Sequence, residues 1–472
     1  MVLKFGGTSV SGLPQWTAIA TLLQQRLSAG YRVVLVCSAV AGVTNALSAL
    51  AEDPQSEEKL TGVLERHRRL ASELGVTEDG WLAQAEGMLR RCTCALARGA
   101  GYPEQAELVS IGEWLSTRIG ASFLQQFTTV SWVDAREALQ VLDEPELSPA
   151  RQWLSACCEP GADPDLQRHW EQLAPAIITQ GFIASKSQGQ TALLGRGGSD
   201  TSAALLAGRV CALELEIWTD VPGLFSADPR LVPEARLLVQ LDYAEALEMA
   251  ASGARVVHPR CIRTAAATAT PVVIRDASRP QLTGTRISDA AGGSGSGPAH
   301  AVKAITCQKG MEVLLLQNLD SRREVGFLAR VFEIFHRHGL SIDLVATSET
   351  TTTVSINGPA NHLDGQALAA LVTELRTQCT VKVFSDCVCI NLVGSSVRMA
   401  LAGLRPAMKF FDDHALLMLS QSANDLCLSL LIDARDHEVL LQQAHAVLIP
   451  SGPQAPGGTF GPCWLEILEQ GA

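Results

Sequence analysis

Lysine is the scarce residue in this chain of 472: seven stand against thirty arginines, and acidic residues leave a formal net charge of −12. That balance denies the protein the basic face that nucleic acid or an anionic membrane surface requires. Thirteen cysteines are present but no Cys-x-x-Cys; the only close pairs are Cys92 and Cys94, Cys157 and Cys158, and Cys387 and Cys389. This spacing argues against a zinc site and for plain thiols in a reducing cytoplasm. The opening Met1-Val2-Leu3-Lys4-Phe5-Gly6-Gly7 lacks the apolar run and small-residue cleavage site of a signal peptide. The longest uncharged run, Val33 to Ala51, is interrupted by Ser38, Thr44, Asn45 and Ser48, and reads as strand, loop and helix rather than a membrane span. A cytoplasmic protein with no resident metal is the expectation. With 47% hydrophobic residues, the chain has material for about three domains.

Two stretches carry unusual chemistry. Leu194-Gly195-Arg196-Gly197-Gly198-Ser199-Asp200-Thr201-Ser202-Ala203 puts a guanidinium, paired glycines and a carboxylate ahead of an apolar helical run. Ser199 is placed to cap that helix, whose first N–H groups attract anions, and Arg196 offers a planar fork for a carboxylate or phosphate. With Asp200 beside it, the site carries both signs of charge and suits a zwitterion. The second stretch is strand Val2–Phe5 running into Gly6-Gly7-Thr8-Ser9, ahead of a helix that Pro14 begins and Gly30 ends. Lys4 therefore lies near a strand tip beside glycine N–H groups, where a phosphate fits. Because the lysine precedes the glycines, this is no Walker A loop. A second strand, small-residue loop and helix follow at Val33 to Asn45, the repetition expected of a doubly wound α/β domain.

Lys4-Phe5-Gly6-Gly7-Thr8-Ser9, Ser38-Ala39, Glu107-Leu108-Val109-Ser110 and the run from Arg196 to Ala203 resemble the aspartate kinases, a branch of the amino-acid kinase family. The resemblance implies a carbamate-kinase-like open α/β sandwich over residues 1–288. It also implies transfer of the ATP γ-phosphoryl group to the β-carboxylate of L-aspartate, giving 4-phospho-L-aspartate, with Mg²⁺ carried by ATP. Lys4 and Asp200 then take catalytic roles. Ser38, Glu107, Arg196, Gly197, Gly198 and Ser199 take the aspartate, with Arg196 on its α-carboxylate and Glu107 and Asp200 around its amino group. Lys4, Gly6, Gly7, Thr219, Asp220, Phe225, Asp228, Arg230 and Arg255 take the nucleotide, with Phe225 near the base. Two positions depart from the family pattern: Phe225 stands where many members have tyrosine, and Arg255 where lysine is usual. Val130 to Val133 and Ala176 to Ile183 read as further strands, and residues 55–120 as helical. Asp242-Tyr243-Ala244-Glu245 is a capping box, and His258, before Pro259, reads as structural.

Residues 289–300, rich in glycine and serine, form the clearest break in composition and read as a linker. Beyond it, strands and helices alternate as βαββαβ over 309–384. The pattern repeats over 385–450 without one strand, which 301–308 is placed to supply. This resembles the paired α+β ferredoxin-like ACT domains of aspartate kinases, one inserted in the other. The resemblance to lysine-sensitive members implies an effector site of Val325, Gly326, Phe327, Leu328, Ser341, Asp343, Ser348 and Glu349. Lysine is the first choice of effector and threonine the second, and the site implies a homodimer or tetramer joined through ACT domains. A helix near Met399 to Asp412 is also expected. The tail 451–472 is either a docking segment or a junction to a further enzyme domain, homoserine dehydrogenase or diaminopimelate decarboxylase. The alternative from another class is an amino-acid sensor with an inactive kinase domain.

Overall fold

The computed structural model describes residues 1–472 apart from 78–79, 255, 290–301, 318–324, 396, 400–414, 434, 436, 453–457 and 470–472. Arg255, most of the expected linker and most of the helix expected near 399–412 thus lie outside the described residues. The chain divides into two compact units. The first takes Met1–Leu224, Val239–Leu247 and Arg255–Gly293; the second takes Phe225–Leu238, Glu248–Ala254 and Ser294–Ala472. Two segments of the 1–288 stretch therefore group with the second unit.

The strands up to residue 287 are β1 (Val2–Phe5), β2 (Val33–Cys37), β3 (Val130–Trp132), β4 (Ala176–Gln180), β5 (Ile183–Ser185), β6 (Thr191–Leu193), β7 (Leu215–Thr219), β8 (Arg236–Leu238), β9 (Gln240–Leu241), β10 (Val272–Asp276) and β11 (Thr285–Ile287). Eight of them form the first unit's sheet in the order β3-β4-β2-β1-β7-β10-β11-β9. From β3 to β10 every pairing is parallel. These strands are near-continuous apolar runs because both faces are covered: every residue of β2 and β4 is buried. Strand order reverses about β1, with β2 and then β4 on one side and β7 and then β10 on the other, the point at which a crevice opens at the carboxyl ends. Trp16, fully buried on the Leu13–Ser28 helix, anchors the core; its indole N–H donates to the Val10 carbonyl at 3.1 Å and its ring meets Phe123 edge-on.

The Ala176 to Ile183 stretch forms two strands, not one. Gly181 and Phe182 break it, and Phe182 takes a left-handed φ of 68°. The Asp242 capping box forms as the sequence predicts: the Glu245 N–H donates to Asp242 Oδ1 at 2.7 Å and the Asp242 N–H to Glu245 Oε2 at 3.2 Å.

The second unit holds β12 (Ala304–Gln317), β13 (Leu344–Thr347), β14 (Thr351–Asn357), β15 (Thr380–Val393), β16 (Leu416–Gln421), β17 (Cys427–Asp433) and β18 (Phe460–Cys463). Six make an antiparallel sheet in the order β13-β14-β12-β15-β17-β16. Both long strands serve two halves. Met311–Gln317 of β12 and Thr380–Phe384 of β15 pair in one half; Ala304–Lys309 and Val388–Val393 pair in the other. The register shifts between them, where Gly310 (φ 73°) and Asp386 (φ 54°) take left-handed conformations. In the first half Val331, Ile334 and Phe335 of one helix and Leu371 and Leu375 of another pack on Leu314, Leu316, Val354 and Ile356.

Candidate active site

The carboxyl ends of β1 and β2 border a cavity of about 840 Å³. Lys4 reaches it from β1, where its neighbours in register are Val36 and Ile217. Its ammonium lies 2.6 Å from Asp200 Oδ1, and both side chains keep little exposure, 12% and 14%. Asp200 sits in the first turn of the Gly198–Arg209 helix, where the helix dipole favours a negative charge. Gly6, Gly7, Ser38, Arg196, Gly198 and Ser199 line the same cavity. The helix begins differently from the sequence expectation: Gly197 holds the cap position with φ 64°, and Ser199 lies inside the first turn. Only glycine fits there, since a Cβ on Gly197 would fall 2.3 Å from the His258 Cβ.

The structure separates two glutamates that lie on one helix, Tyr102–Leu124. Glu107, the expected substrate contact, does not line the cavity. Thr191 donates its hydroxyl to the Glu107 carboxylate, and the Arg136 guanidinium, itself paired with Asp134 at 2.6 Å, lies 3.5 Å away. Glu113 is the carboxylate that reaches the cavity wall. It is 2% exposed, and its Oε2 has no hydrogen-bond partner. Burial pushes its carboxyl up to about 8, against the opposing effect of the Ala39 N–H. The signal in the sequence was a lone charge, flanked by Gly112 and Trp114, in an otherwise apolar stretch.

Phe182, His258 and Arg260 also line the cavity and were not among the expected site residues. His258 caps the Pro259–Ala267 helix, its Nδ1 accepting the Arg260 N–H at 3.2 Å, so the structural reading of this histidine holds at the backbone. Burial, then the nearby Arg260, holds its pKa below the usual imidazole value. The Arg260 guanidinium donates to the carbonyls of Leu194, at 2.5 Å, and Ala156, at 2.7 Å, which fixes the start of the Gly195–Gly198 loop.

Thr219 and Asp220 close β7 on the same edge of the sheet as Lys4, since Phe5 pairs with Trp218. The Thr219 hydroxyl donates to Asp220 at 3.1 Å. Phe225, Asp228 and Arg230 belong to the second unit. The Phe225 ring packs edge-on against Trp464, with centroids 5.6 Å apart. Arg230 and Asp228 pair at 2.6 Å, and this drives the Asp228 carboxyl below its ordinary value. Among the described residues no group of three His, Cys, Asp or Glu side chains is set to hold a metal ion, and no helix is long and apolar enough to cross a membrane.

In the second unit, Gly326 (φ 88°) starts the Phe327–Arg337 helix, beside the exposed Val325 and Leu328. Asp343 Oδ2 accepts the Asn357 N–H at 2.5 Å, and burial raises its carboxyl. Ser341 bonds through its N–H to Asn361, and the Ser348 hydroxyl pairs with Thr351 at 2.7 Å, next to the exposed Glu349.

A parallel sheet with a lysine-tipped first strand, a glycine turn and no Walker loop defines a class. The sequence pattern of the amino acid kinase family matches residues 1–276, and the chain belongs to that family. Within it, the chain is 32% identical over 464 residues to lysine-sensitive aspartokinase 3 of Escherichia coli, covering 95% of this chain and 99% of that protein. The crystal structure of Escherichia coli aspartokinase III in complex with aspartate and ADP, the R-state, is similar at a TM-score of 0.76 and 30% identity, covering 95% of this chain and 99% of that one. The T-state of that enzyme, in complex with lysine and aspartate, is similar over the same shares at 0.78, again with 30% identity.

Proposed function

We infer that this protein is an aspartate kinase: it transfers the γ-phosphoryl group of ATP to the β-carboxylate of L-aspartate. The product, 4-phospho-L-aspartate, opens the route to lysine, threonine and methionine. The observation that carries this reading is the Lys4–Asp200 pair facing Arg196 and Glu113 across one cavity. Of the two guanidiniums that line the cavity, Arg260 is engaged by backbone carbonyls and Arg196 is read as the partner of an α-carboxylate, with the Asp200 and Glu113 carboxylates for an ammonium group. Similarity to the aspartate and ADP complex supports the same ligands here.

The nucleophile is a carboxylate with a free pKa near ~3.9, already ionised at neutral pH, so the site needs no general base. The obstacle is repulsion between that carboxylate and the polyphosphate. Lys4, held by Asp200 until a phosphate takes its ammonium, supplies the mobile positive charge, and the N–H groups of Gly6 and Gly7 supply fixed dipoles. Mg²⁺ carried by the nucleotide would supply further charge neutralisation at the phosphates. Arg196 takes the α-carboxylate, Ser38, Gly197, Gly198 and Ser199 shape its surroundings, and Glu113 takes the ammonium role first read for Glu107. Thr219 and Asp220 face the nucleotide. The nucleotide roles of Phe225, Asp228, Arg230 and Arg255 are carried by the family resemblance.

Residues 301–308 with 385–450, and residues 309–384, are read as two ACT domains after a linker at 289–300, with 451–472 as tail. Lysine is the proposed effector, at Val325 to Leu328, Ser341, Asp343, Ser348 and Glu349, in a cytoplasmic homo-oligomer joined through these domains. Similarity to lysine-sensitive aspartokinase supports the effector. Feedback requires lysine to favour the less active arrangement, typically by about 1–3 kcal/mol. The test is ADP release from MgATP on adding L-aspartate, with hydroxylamine present to trap the acyl phosphate as a hydroxamate. Aspartate-dependent hydroxamate that lysine suppresses is expected. Lysine binding without any hydroxamate would replace this reading by that of a sensor.

A further inference from the structure

Arg196 enters the cavity on the Gly195–Gly198 loop, and two residues that flank Pro259 grip this loop on either side of the arginine. Ahead of Arg196, the Arg260 guanidinium donates through Nη1 to the Leu194 carbonyl and through Nη2 to the Ala156 carbonyl at 2.7 Å. Leu194 and Ser155 are antiparallel neighbours, and the Ala156 N–H donates to the Leu193 carbonyl at 2.9 Å, so one guanidinium ties both sides of that bridge. The same Nη2 lies 3.4 Å from Cys157 Sγ. After Arg196, the His258 ring lies on Gly197: a Cβ added there would fall 2.2 Å from His258 Cγ and 2.7 Å from Cδ2. His258 Nδ1 accepts the Arg260 N–H at 3.2 Å, which assigns the proton of the neutral ring to Nε2.

Three glycines in four residues make this loop intrinsically loose, and Gly195 (φ 71°) and Gly197 (φ 64°), on either side of Arg196, take left-handed conformations. Its internal bond, from the Gly198 N–H to the Gly195 carbonyl at 2.9 Å, closes the turn. Anchorage comes from the Pro259–Ala267 helix, which packs against the Gly198–Arg209 helix so closely that a Cβ on Gly208 would fall 2.6 Å from the Thr268 methyl. Pro259 fixes the backbone at the start of that helix, so His258 and Arg260 leave it in set directions. Removing the guanidinium would strip two carbonyls of their donor at once, in a half-buried place where such groups are costly to leave unpaired.

We propose that Arg260 and His258 are positioning residues that clamp the loop of Arg196 and so set the affinity for the substrate's α-carboxylate. The proposal deepens the aspartate kinase reading and rests on Arg196 taking that carboxylate. The experiment uses the full chain with Arg260→Gln, His258→Ala and Arg196→Ala, singly and with each clamp change added to Arg196→Ala. It reads amide hydrogen exchange, aspartate Kd by calorimetry, kcat, and the KM values for aspartate and ATP. Arg260→Gln is expected to speed exchange over 194–198 while 2–5 and 33–37 stay protected. It should raise the aspartate Kd and KM about five- to fiftyfold, with kcat and the ATP KM within about threefold. In a chain that already carries Arg196→Ala, the same change should raise the aspartate constants by no more than about twofold, since the clamp then has no guanidinium to aim. Equal effects in the two backgrounds would overturn the clamp, as would unchanged exchange over the loop or a parallel rise in both KM values. His258→Ala should follow the same pattern at about two- to tenfold, and it decides if Arg260→Gln does not fold. A wild-type chain that binds aspartate but makes no hydroxamate would count against the proposed reaction alone, since exchange and aspartate binding would still judge the clamp.

Discussion

The two sheets of this protein solve the same burial problem in opposite ways. In the first unit the central strands are parallel, apolar along most of their length and covered on both faces. In the second unit the strands are antiparallel, and both edge strands alternate between covered and exposed positions. β13 and β16 show Val345 at 40% and Leu419 at 46% exposure. A sheet sealed on both faces confines chemistry to one edge, where Lys4 meets Asp200. A sheet with open edges keeps backbone groups available for partners, as expected of a regulatory element.

The largest effect should come from that chemical edge. Lys4→Ala should lower kcat by about 10²–10³ while changing aspartate KM far less, because the lost cation acts on charge that develops in the transition state. Steady-state kinetics decide this, and equal losses in both constants would erase the division between Lys4 and Arg196. Next in size is a core test of the two sheets. Trp16→Ala should cost about 3–5 kcal/mol by denaturant unfolding, whereas Leu419→Ala should change stability by less than about 0.5 kcal/mol. Comparable costs at the two sites would contradict the contrast in burial.

The most specific effect concerns Glu113. A carboxyl raised to about 8 in the folded protein binds a proton that the unfolded chain has released, so its stabilising contribution is full below the ordinary glutamate range. Between there and about pH 8 the wild type should lose stability relative to Glu113→Gln, at a slope of at most about 1.4 kcal/mol per pH unit. Thermal unfolding of the two proteins across that window checks it. Bound L-aspartate should flatten the slope, since its ammonium group favours the ionised carboxylate; a slope unaffected by aspartate would take Glu113 out of the substrate site.

What the sequence disclosed follows the range of the interactions involved. Local signals were readable: Pro14 inside the first turn of its helix, the Asp242–Glu245 capping box, and the lysine ahead of Gly6 and Gly7. The choice between Glu107 and Glu113 was not, because two carboxylates six positions apart on one helix are sorted only by what packs against each. Ser199 looked like a cap because serine commonly is one, but the close approach of His258 demanded a left-handed glycine at position 197. The pairing of Phe460 with Leu238 joins positions more than two hundred residues apart, and no local pattern announces such a partner.

The two strands shared by both halves of the second unit have a mechanical consequence. β12 and β15 each run the length of two small modules, so these modules are a single beam with one joint, at Gly310 and Asp386. Side chains alternate faces along a strand, so deleting Gly310 would turn Ala304 to Lys309 inside out relative to Met311 to Gln317. A pull on one end of the beam reaches the other through covalent bonds, without any relay of side chains.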